Sequence, residues 1–371
     1  MNLMQDMIKK NERFRLLSLD VFRGLTIALM ILVNSPGNQT PYYFLDHSAW
    51  NGCTLADLVF PFFVFVVGVS AVFSLSQARY REKRGALIIK ICKRSLIIFF
   101  IGLFLNAFPE HFDLASIRVF GVLQRIAICY FFSAILFLTT RLRTQAVIIA
   151  VLLIGYWLLM TLPAYNLTEE GNFAAYIDRM FLSPAHLYGK YYDPEGFFST
   201  FPAVATALLG NLTAAWLLSN LRPAQKKNGM VFMGILALST GWLWAFWFPI
   251  NKTLWTSSFV LWTGGFALLI LAFCYWLIEI KHWHKWSKPF EFFGVNAMAA
   301  YVLHVFFLKI QVMIRIPHSD GSSPNLKSFF TEYLFGWTST QNAALLYALC
   351  YTLIWFFILT ILYRKRIFIK I

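Results

Sequence analysis

The chain has 371 residues, 59% of them hydrophobic and 13% charged, with 39 phenylalanines and a formal net charge of +15. Soluble domains carry roughly 25% charged residues, so a soluble α/β enzyme, with its turns and polar faces, is excluded. Nucleic-acid binding is excluded too, because the basic residues fall in short clusters between apolar runs, the pattern of membrane loops and anionic-lipid contact.

The expected fold is all-α: a polytopic integral membrane helical bundle of about ten transmembrane helices, each needing roughly 20 residues. The first three expected spans run from about Leu17 to Val33, Leu55 to Leu75, and Leu96 to Phe108. The next three are Val119 to Leu138, Ala146 to Leu162, and Ser199 to Leu218. Then come Met230 to Trp247, Phe259 to Ile278, Gly294 to Met313, and Ala343 to Leu362. The third is short, and its start can reach back to Ile88. No internal repeat or low-complexity tract stands out, so residues 1–371 read as a single domain. Lys9, Lys10, Arg13 and Arg15 precede a full-length span, which suits a retained first helix better than a cleaved signal.

One set of loops holds the basic clusters: the N-terminus, Arg79 to Arg94, Arg141 and Arg143, Arg222 to Lys227, Lys281 to Lys288, and Arg364 to Lys370. The opposite set holds few, among them Arg118, Arg179, Lys190, Lys252 and Lys327. The basic set is expected in the cytoplasm, with both termini inside. Two outer segments, Pro163 to Phe198 and Arg315 to Gln341, are long enough to be functional.

The stretch from Pro41 to Ser70 draws most attention. It begins polar and aromatic and becomes a long uncharged run. His47 lies between Asp46 and Trp50, about ten residues before that run, and Asp57 sits at its mouth. An imidazole at a membrane surface beside a carboxylate and a tryptophan suits proton transfer; the plainer reading is a solvated loop histidine. Thr54 and Asp57 also have the spacing of a helix capping box, and Pro61 follows inside the run.

Other polar residues have similarly divided readings. In SLDVFRG, Asp20 and Arg23 are three apart and close enough to pair, as either a functional pair or an interfacial anchor. Asn34 ends the first span, as an amide donor to a carbonyl or as a cap. Gln124 and Arg125 lie inside an apolar helix, where Arg125 must face protein or water: it binds an anionic or carbonyl-bearing ligand or forms an internal ion pair. Asp193, Glu195, Asn251 and Lys252 offer hydrogen bonds to a hydroxylated or amino ligand, and Trp255 offers a face for a sugar ring; the aromatics also fit an interfacial belt. Asn251 and Thr253 match a glycosylation acceptor weakly. His304 reads as a packed, hydrogen-bonded residue, and His282 and His284 as surface residues. No metal motif, phosphate loop or nucleophile elbow occurs, and the five cysteines have no metal-like spacing and make no disulfide framework.

Together, SLDVFRG, HSAWNGCTLADLVFPFFVFVVGVS, GVLQRIAICY, DPEGFFSTFPA and PINKTLWTSS resemble the heparan-α-glucosaminide N-acetyltransferase family of transmembrane acyltransferases. The resemblance implies acetyl-CoA as cytosolic donor, an amino-sugar amine outside the membrane as acceptor, His47 as active-site histidine and Asn34 as its assistant. It gives no metal. Relative to the animal enzymes the sequence lacks a large lumenal N-terminal extension, which fits a bacterial inner-membrane relative and puts heparan sulfate itself in doubt. Arg125 is expected near the acyl arm of CoA, and Arg23 or the Arg79 to Arg94 cluster near its phosphates. Asp57, Trp50, Asp193, Glu195, Asn251, Lys252 and Trp255 are the expected acceptor-site residues. Membrane lipid and a homodimer are the remaining expected partners. A transporter or flippase for a sugar or glycoconjugate is the rival reading.

Overall fold

The computed structural model describes residues 16–108, 112, 113, 115–189, 191–317 and 323–369. The cluster from Lys9 to Arg15, Lys190 and Lys370 lie outside the described residues. Among those described, the chain is helical throughout, and its only bridge is the isolated pair Arg315 and Asn325.

The helices follow the apolar runs. They are α1 (Leu17–Asn34), α2 (Leu55–Ala78), α3 (Arg84–Ala107), α4 (Val122–Thr139), α5 (Leu142–Met160), α6 (Phe173–Phe181) and α7 (Thr200–Leu217). Then come α8 (Pro223–Trp244), α9 (Ser257–Tyr275, continued by a π-turn to Ile280), α10 (Lys288–Val295), α11 (Ala297–Met313), α12 (Leu326–Phe335) and α13 (Thr340–Arg364). Seven of these are long and apolar enough to cross a membrane, and the pair α10–α11 makes an eighth if counted as one span. All ten expected spans fall on helices. Two of them, however, occupy only the apolar parts of helices with basic starts: α3 carries Arg84, Lys90, Lys93 and Arg94, and α8 carries Lys226 and Lys227.

Large apolar side chains point outward along several helices, including Phe100 on α3, Val151 on α5, Phe232 on α8 and Phe357 on α13. Water would not tolerate such continuous faces; lipid does. All five cysteines are free.

The contacts divide the chain into two compact units. The first holds the described residues up to Leu19, Trp50–Gly52 and Pro61–Trp283. Here α8 packs along α9, α3 along α4, and α7 against α4 and α5. Helices α2 and α7 cross through glycines: a Cβ on Gly68 would lie 1.9 Å from the carbonyl of Ala207, and one on Gly210 would lie 2.2 Å from that of Phe65. Small residues let membrane helices approach this closely.

The second unit holds Asp20–Ala49, Cys53–Phe60 and the described residues from His284 onward. Helices α1 and α10 meet through a second glycine pair. A Cβ on Gly24 would stand 1.7 Å from the Phe290 carbonyl, and one on Gly294 would stand 2.1 Å from that of Asp20. The expected ninth span is broken: α10 and α11 meet at 79° around Asn296. That asparagine is buried, and its amide donates to the Ile367 carbonyl and accepts from the Ile369 N–H, so it holds the C-terminal strand of backbone at the break. His304 is buried on α11, with its Nδ1 bonded to the Ala300 carbonyl, the packed role expected for it.

Candidate functional site

A short 3-10 turn, Tyr43–Leu45, leads into His47. Asp46 accepts from the backbone N–H of His47 at 2.8 Å, and Thr54 Oγ1 donates to the Asp46 carbonyl at 2.6 Å, folding the loop back onto the start of α2. Asp57, on the first turn of α2, is fully buried. Its Oδ2 accepts from the backbone N–H groups of Ser48 and Thr54 at 3.1 and 3.0 Å, with the Thr54 hydroxyl oxygen 3.1 Å away. Its Oδ1 lies 2.8 Å from His47 Nδ1.

So many donors hold Asp57 as a carboxylate, and Nδ1 of His47 is therefore the protonated nitrogen. In the neutral ring the basic lone pair is then on Nε2. The imidazole side chain is 48% exposed while its partner is 1% exposed. The buried carboxylate thus orients the half-exposed ring through Nδ1. Half of the expected capping box also forms, through the same carboxylate, because Asp57 accepts the Thr54 N–H.

Asn34 is the half-buried last residue of α1, and no hydrogen bond joins it to His47 or Asp57 among the described residues. Arg23 pairs with Asp20 at 3.2 Å, as their spacing suggested, and also reaches the Gly294 carbonyl at 3.4 Å.

A charged cluster forms in the first unit. Arg118 places Nε and Nη2 on the two oxygens of Asp193, at 2.8 and 2.5 Å, and shares Nη2 with Glu195. Asp193 also accepts from the backbone of Tyr188 and Glu195. Its carboxylate is thus committed to holding Arg118. Burial works against the Arg118 charge, but Asp193 and Glu195 outweigh it and raise its pKa. Burial likewise works against the Glu195 charge, and Arg118, Arg125 and Lys252 overcome it, so the pKa falls. Nearby Asp178 on α6 is pushed up to about 6 by burial, although the Phe198 N–H donates to it.

Arg125 is completely buried on the first turns of α4. Its Nη2 donates to Ser199 and to the Gly196 carbonyl, and its guanidinium carbon lies 5.0 Å from the Trp255 ring. Nε and Nη1 have no hydrogen-bond partner among the described residues. A buried cation with two unmet donors is costly unless something accepts from it. Trp255 is itself buried, donates from Nε1 to Thr206 at 3.1 Å and has a φ of 51°, a strained value for so large a residue. It is the platform under Arg125.

Asn251 is the scaffold of the Trp255 loop. It is buried, accepts from the Leu254 N–H at 2.8 Å and donates to Asn51 at 3.2 Å, an arrangement that leaves it no room to carry a glycan. Lys252 is half-buried, and its charge reaches Glu195. Trp50 donates to the Leu167 carbonyl at 2.8 Å and meets Tyr192 edge to face. The fold therefore brings Asp193, Glu195 and Lys252 into one charge cluster with Arg118 and Arg125, and pairs His47 with Asp57. Arg118 and Asp178 escaped the sequence reading. Arg118 had one signal, its isolation on the side poor in basic residues; Asp178 had none.

Among the described residues no group of histidines, cysteines and acids is arranged to hold a metal. The chain is 29% identical to human heparan-alpha-glucosaminide N-acetyltransferase across 96% of its own length and 60% of that protein. It is 27% identical to the mouse protein of the same name across 98% of its own length and 61% of that protein. It thus spans about three fifths of the length of these relatives. Residues 15–247, which include Asn34, His47, Asp57, Arg118, Arg125, Asp193 and Glu195, match the family described as heparan-alpha-glucosaminide N-acetyltransferase, catalytic. The chain belongs to the heparan-alpha-glucosaminide N-acetyltransferase catalytic family.

Proposed function

We propose that this chain is a transmembrane acetyltransferase that moves an acetyl group from acetyl-CoA to the amine of an amino sugar. The carrying observation is the 2.8 Å contact between His47 and buried Asp57. Asp57 fixes the ring through Nδ1, and Nε2 takes the proton of the attacking amine. The new bond joins the amine nitrogen to the acetyl carbon, and the carbon–sulfur bond then breaks. The thiolate leaves as CoA and takes up the proton held by His47. Asn34 donates to the developing oxyanion.

Direct attack is favoured over an acetyl-imidazole intermediate, because it needs one acyl transfer instead of two. The unmet donors of Arg125 suit a carbonyl of the donor's acyl arm. Arg23 remains a candidate for the same donor. Trp50, Glu195 and Lys252 are assigned to the acceptor; Asp193, Asn251 and Trp255 serve it by holding Arg118, their loop and Arg125. The family membership supports this reading. The loop charge bias supports an inner-membrane protein with both termini cytoplasmic and His47 on the far side.

The test is incubation of the purified protein with acetyl-CoA and glucosamine, read by mass spectrometry. One acetylated amine per CoA released is expected, with His47→Ala slowed at least about 10²-fold and acetyl-CoA binding nearly unchanged. Transport of the sugar without acetylation, or full activity in His47→Ala, would overturn the proposal. Labelled acetyl-CoA without acceptor separates the two routes: label that stays on His47 and then passes competently to sugar would replace direct attack by two steps.

A further inference from the structure

Asn34 ends α1 and His47 follows the 3-10 turn, and no hydrogen bond joins the two among the described residues. Their relative placement therefore depends on the segment between them. A free surface loop would leave it loose. This segment is pinned instead, by α12 and the start of α13, all within the second unit.

The bonds follow the chain. Ser35 is buried and donates its hydroxyl to the Ile31 carbonyl, tying it to the last turn of α1. Lys327 on α12 donates to the Pro36 carbonyl at 2.9 Å. The Thr331 hydroxyl, one turn further along α12, lies 3.0 Å from the Gly37 carbonyl oxygen and 2.8 Å from the Lys327 carbonyl oxygen of its own helix. The Gly37 N–H donates to the Ala344 carbonyl on α13 at 3.1 Å. Asn38 donates its amide to the Thr340 carbonyl at 2.8 Å, and the Tyr42 hydroxyl meets the Asn342 side-chain oxygen at 2.5 Å. Gly37 allows the close approach: a Cβ there would lie 2.5 Å from Thr331 Oγ1 and 2.7 Å from Tyr347 Cβ, so the loop backbone rests against both helices.

Lys327 is the most informative of these residues. It is half-buried, and among the described residues no carboxylate lies within ion-pair distance of it. Enclosing an ammonium and ordering its long stem costs free energy, which an ion pair would normally offset. Here the compensation is a bond to a backbone carbonyl, and what that bond secures is the place of Pro36, just beyond Asn34.

We propose that α12 and α13 position the catalytic pair, with Lys327 and Thr331 as positioning residues that act on acetyl transfer through Asn34. The inference rests on the function proposed above. An oxyanion donor works only when held within hydrogen-bond range of the place where charge develops. A displacement of about 1 Å in such a group can cost about 10²-fold in rate. Helix α1 fixes Asn34 from one side, and Lys327 and Thr331 fix the chain from the other.

The full chain in detergent is assayed with acetyl-CoA and glucosamine. In Lys327→Met, kcat should fall about 10-fold or more with KM for acetyl-CoA unchanged. Lys327→Arg, which keeps an N–H donor for the Pro36 carbonyl, should recover most of the rate. Thr331→Val, of the same shape but with no hydroxyl proton, should lower kcat in the same direction, and it decides the question if Lys327→Met does not fold. In an Asn34→Ala background neither substitution should slow transfer further. Glu332→Gln, exposed on the same helix, should leave kcat unchanged. An unchanged kcat in both Lys327→Met and Thr331→Val overturns the proposal. An equal fold-loss with and without Asn34, which mere loosening of the fold would give, overturns it too, as does full activity in Asn34→Ala. If the unsubstituted protein makes no acetylated glucosamine, it is the function proposed above that falls.

Discussion

Asp57 gives one carboxylate oxygen to the imidazole of His47 and the other to the backbone N–H of Thr54, the residue before α2. Orientation of the imidazole and capping of the helix are therefore one structure. Asp57→Asn keeps a carbonyl oxygen for one of these bonds but cannot hold both, and its amide presents the wrong group to Nδ1. The expected result is a fall in kcat of about 10² or more with little change in KM for acetyl-CoA. Asp57→Ala should lose stability as well, by about 1 to 3 kcal/mol, for the buried donors it abandons. Steady-state kinetics and melting temperatures of both variants check this; equal kcat in Asp57→Asn would separate Asp57 from catalysis.

Arg125 and Trp255 should be energetically coupled. In a double-mutant cycle with Arg125→Met and Trp255→Leu, stability should show a coupling of about 1 to 2 kcal/mol. Arg125→Met should also shrink the rise in melting temperature that acetyl-CoA causes. Arg125→Lys should not restore it, because an ammonium lacks the planar set of donors. An undiminished ligand shift in Arg125→Met would confine this arginine to a structural part.

The Arg118 cluster makes a sharper stability prediction. Arg118→Ala strands two buried carboxylates and should cost about 3 to 5 kcal/mol. Adding Asp193→Asn and Glu195→Gln should recover part of that loss, because the stranded charges are then gone. Denaturant or thermal unfolding of the single and triple variants is the measurement, and a triple variant less stable than Arg118→Ala would contradict the account.

Asp178 should make stability depend on pH in an unusual direction for a carboxylate. Its pKa rises from 3.8 to about 6 on folding, so the folded protein holds this proton more tightly than the unfolded chain. Its contribution is full below pH 3.8 and is lost as pH rises through about 6. Asp178→Asn keeps an acceptor for the Phe198 N–H without the charge. The variant should therefore melt higher than the parent at pH 7, with the difference vanishing toward pH 4. A difference independent of pH would mean that Asp178 does not titrate in this range.

The membrane helices were legible because lipid imposes one rule over long stretches, and the apolar runs obey it. The start of α3 was not, because Lys90, Lys93 and Arg94 interrupt the hydropathy while the backbone continues as helix from Arg84. The break at Asn296 was hidden for another reason: it depends on carbonyl and N–H groups of Ile367 and Ile369, some seventy residues away. His47 and Asp57 could each be singled out in the sequence, but their pairing required the loop that Thr54 and Asp46 fold back. Trp255 read as an open face for a sugar, and only the fold shows Arg125 lying over it.

The crossing of α1 and α10 at Gly24 and Gly294 inverts the usual meaning of an alanine scan. Alanine is the large residue at these positions, since even one methyl group would land 1.7 to 2.1 Å from a backbone carbonyl. Asn34 lies ten residues along α1 from Gly24, about 15 Å of rigid helix. A truncation survey that skips glycines, or that scores alanine as the neutral change, would miss the contact that sets the pose of the whole helix.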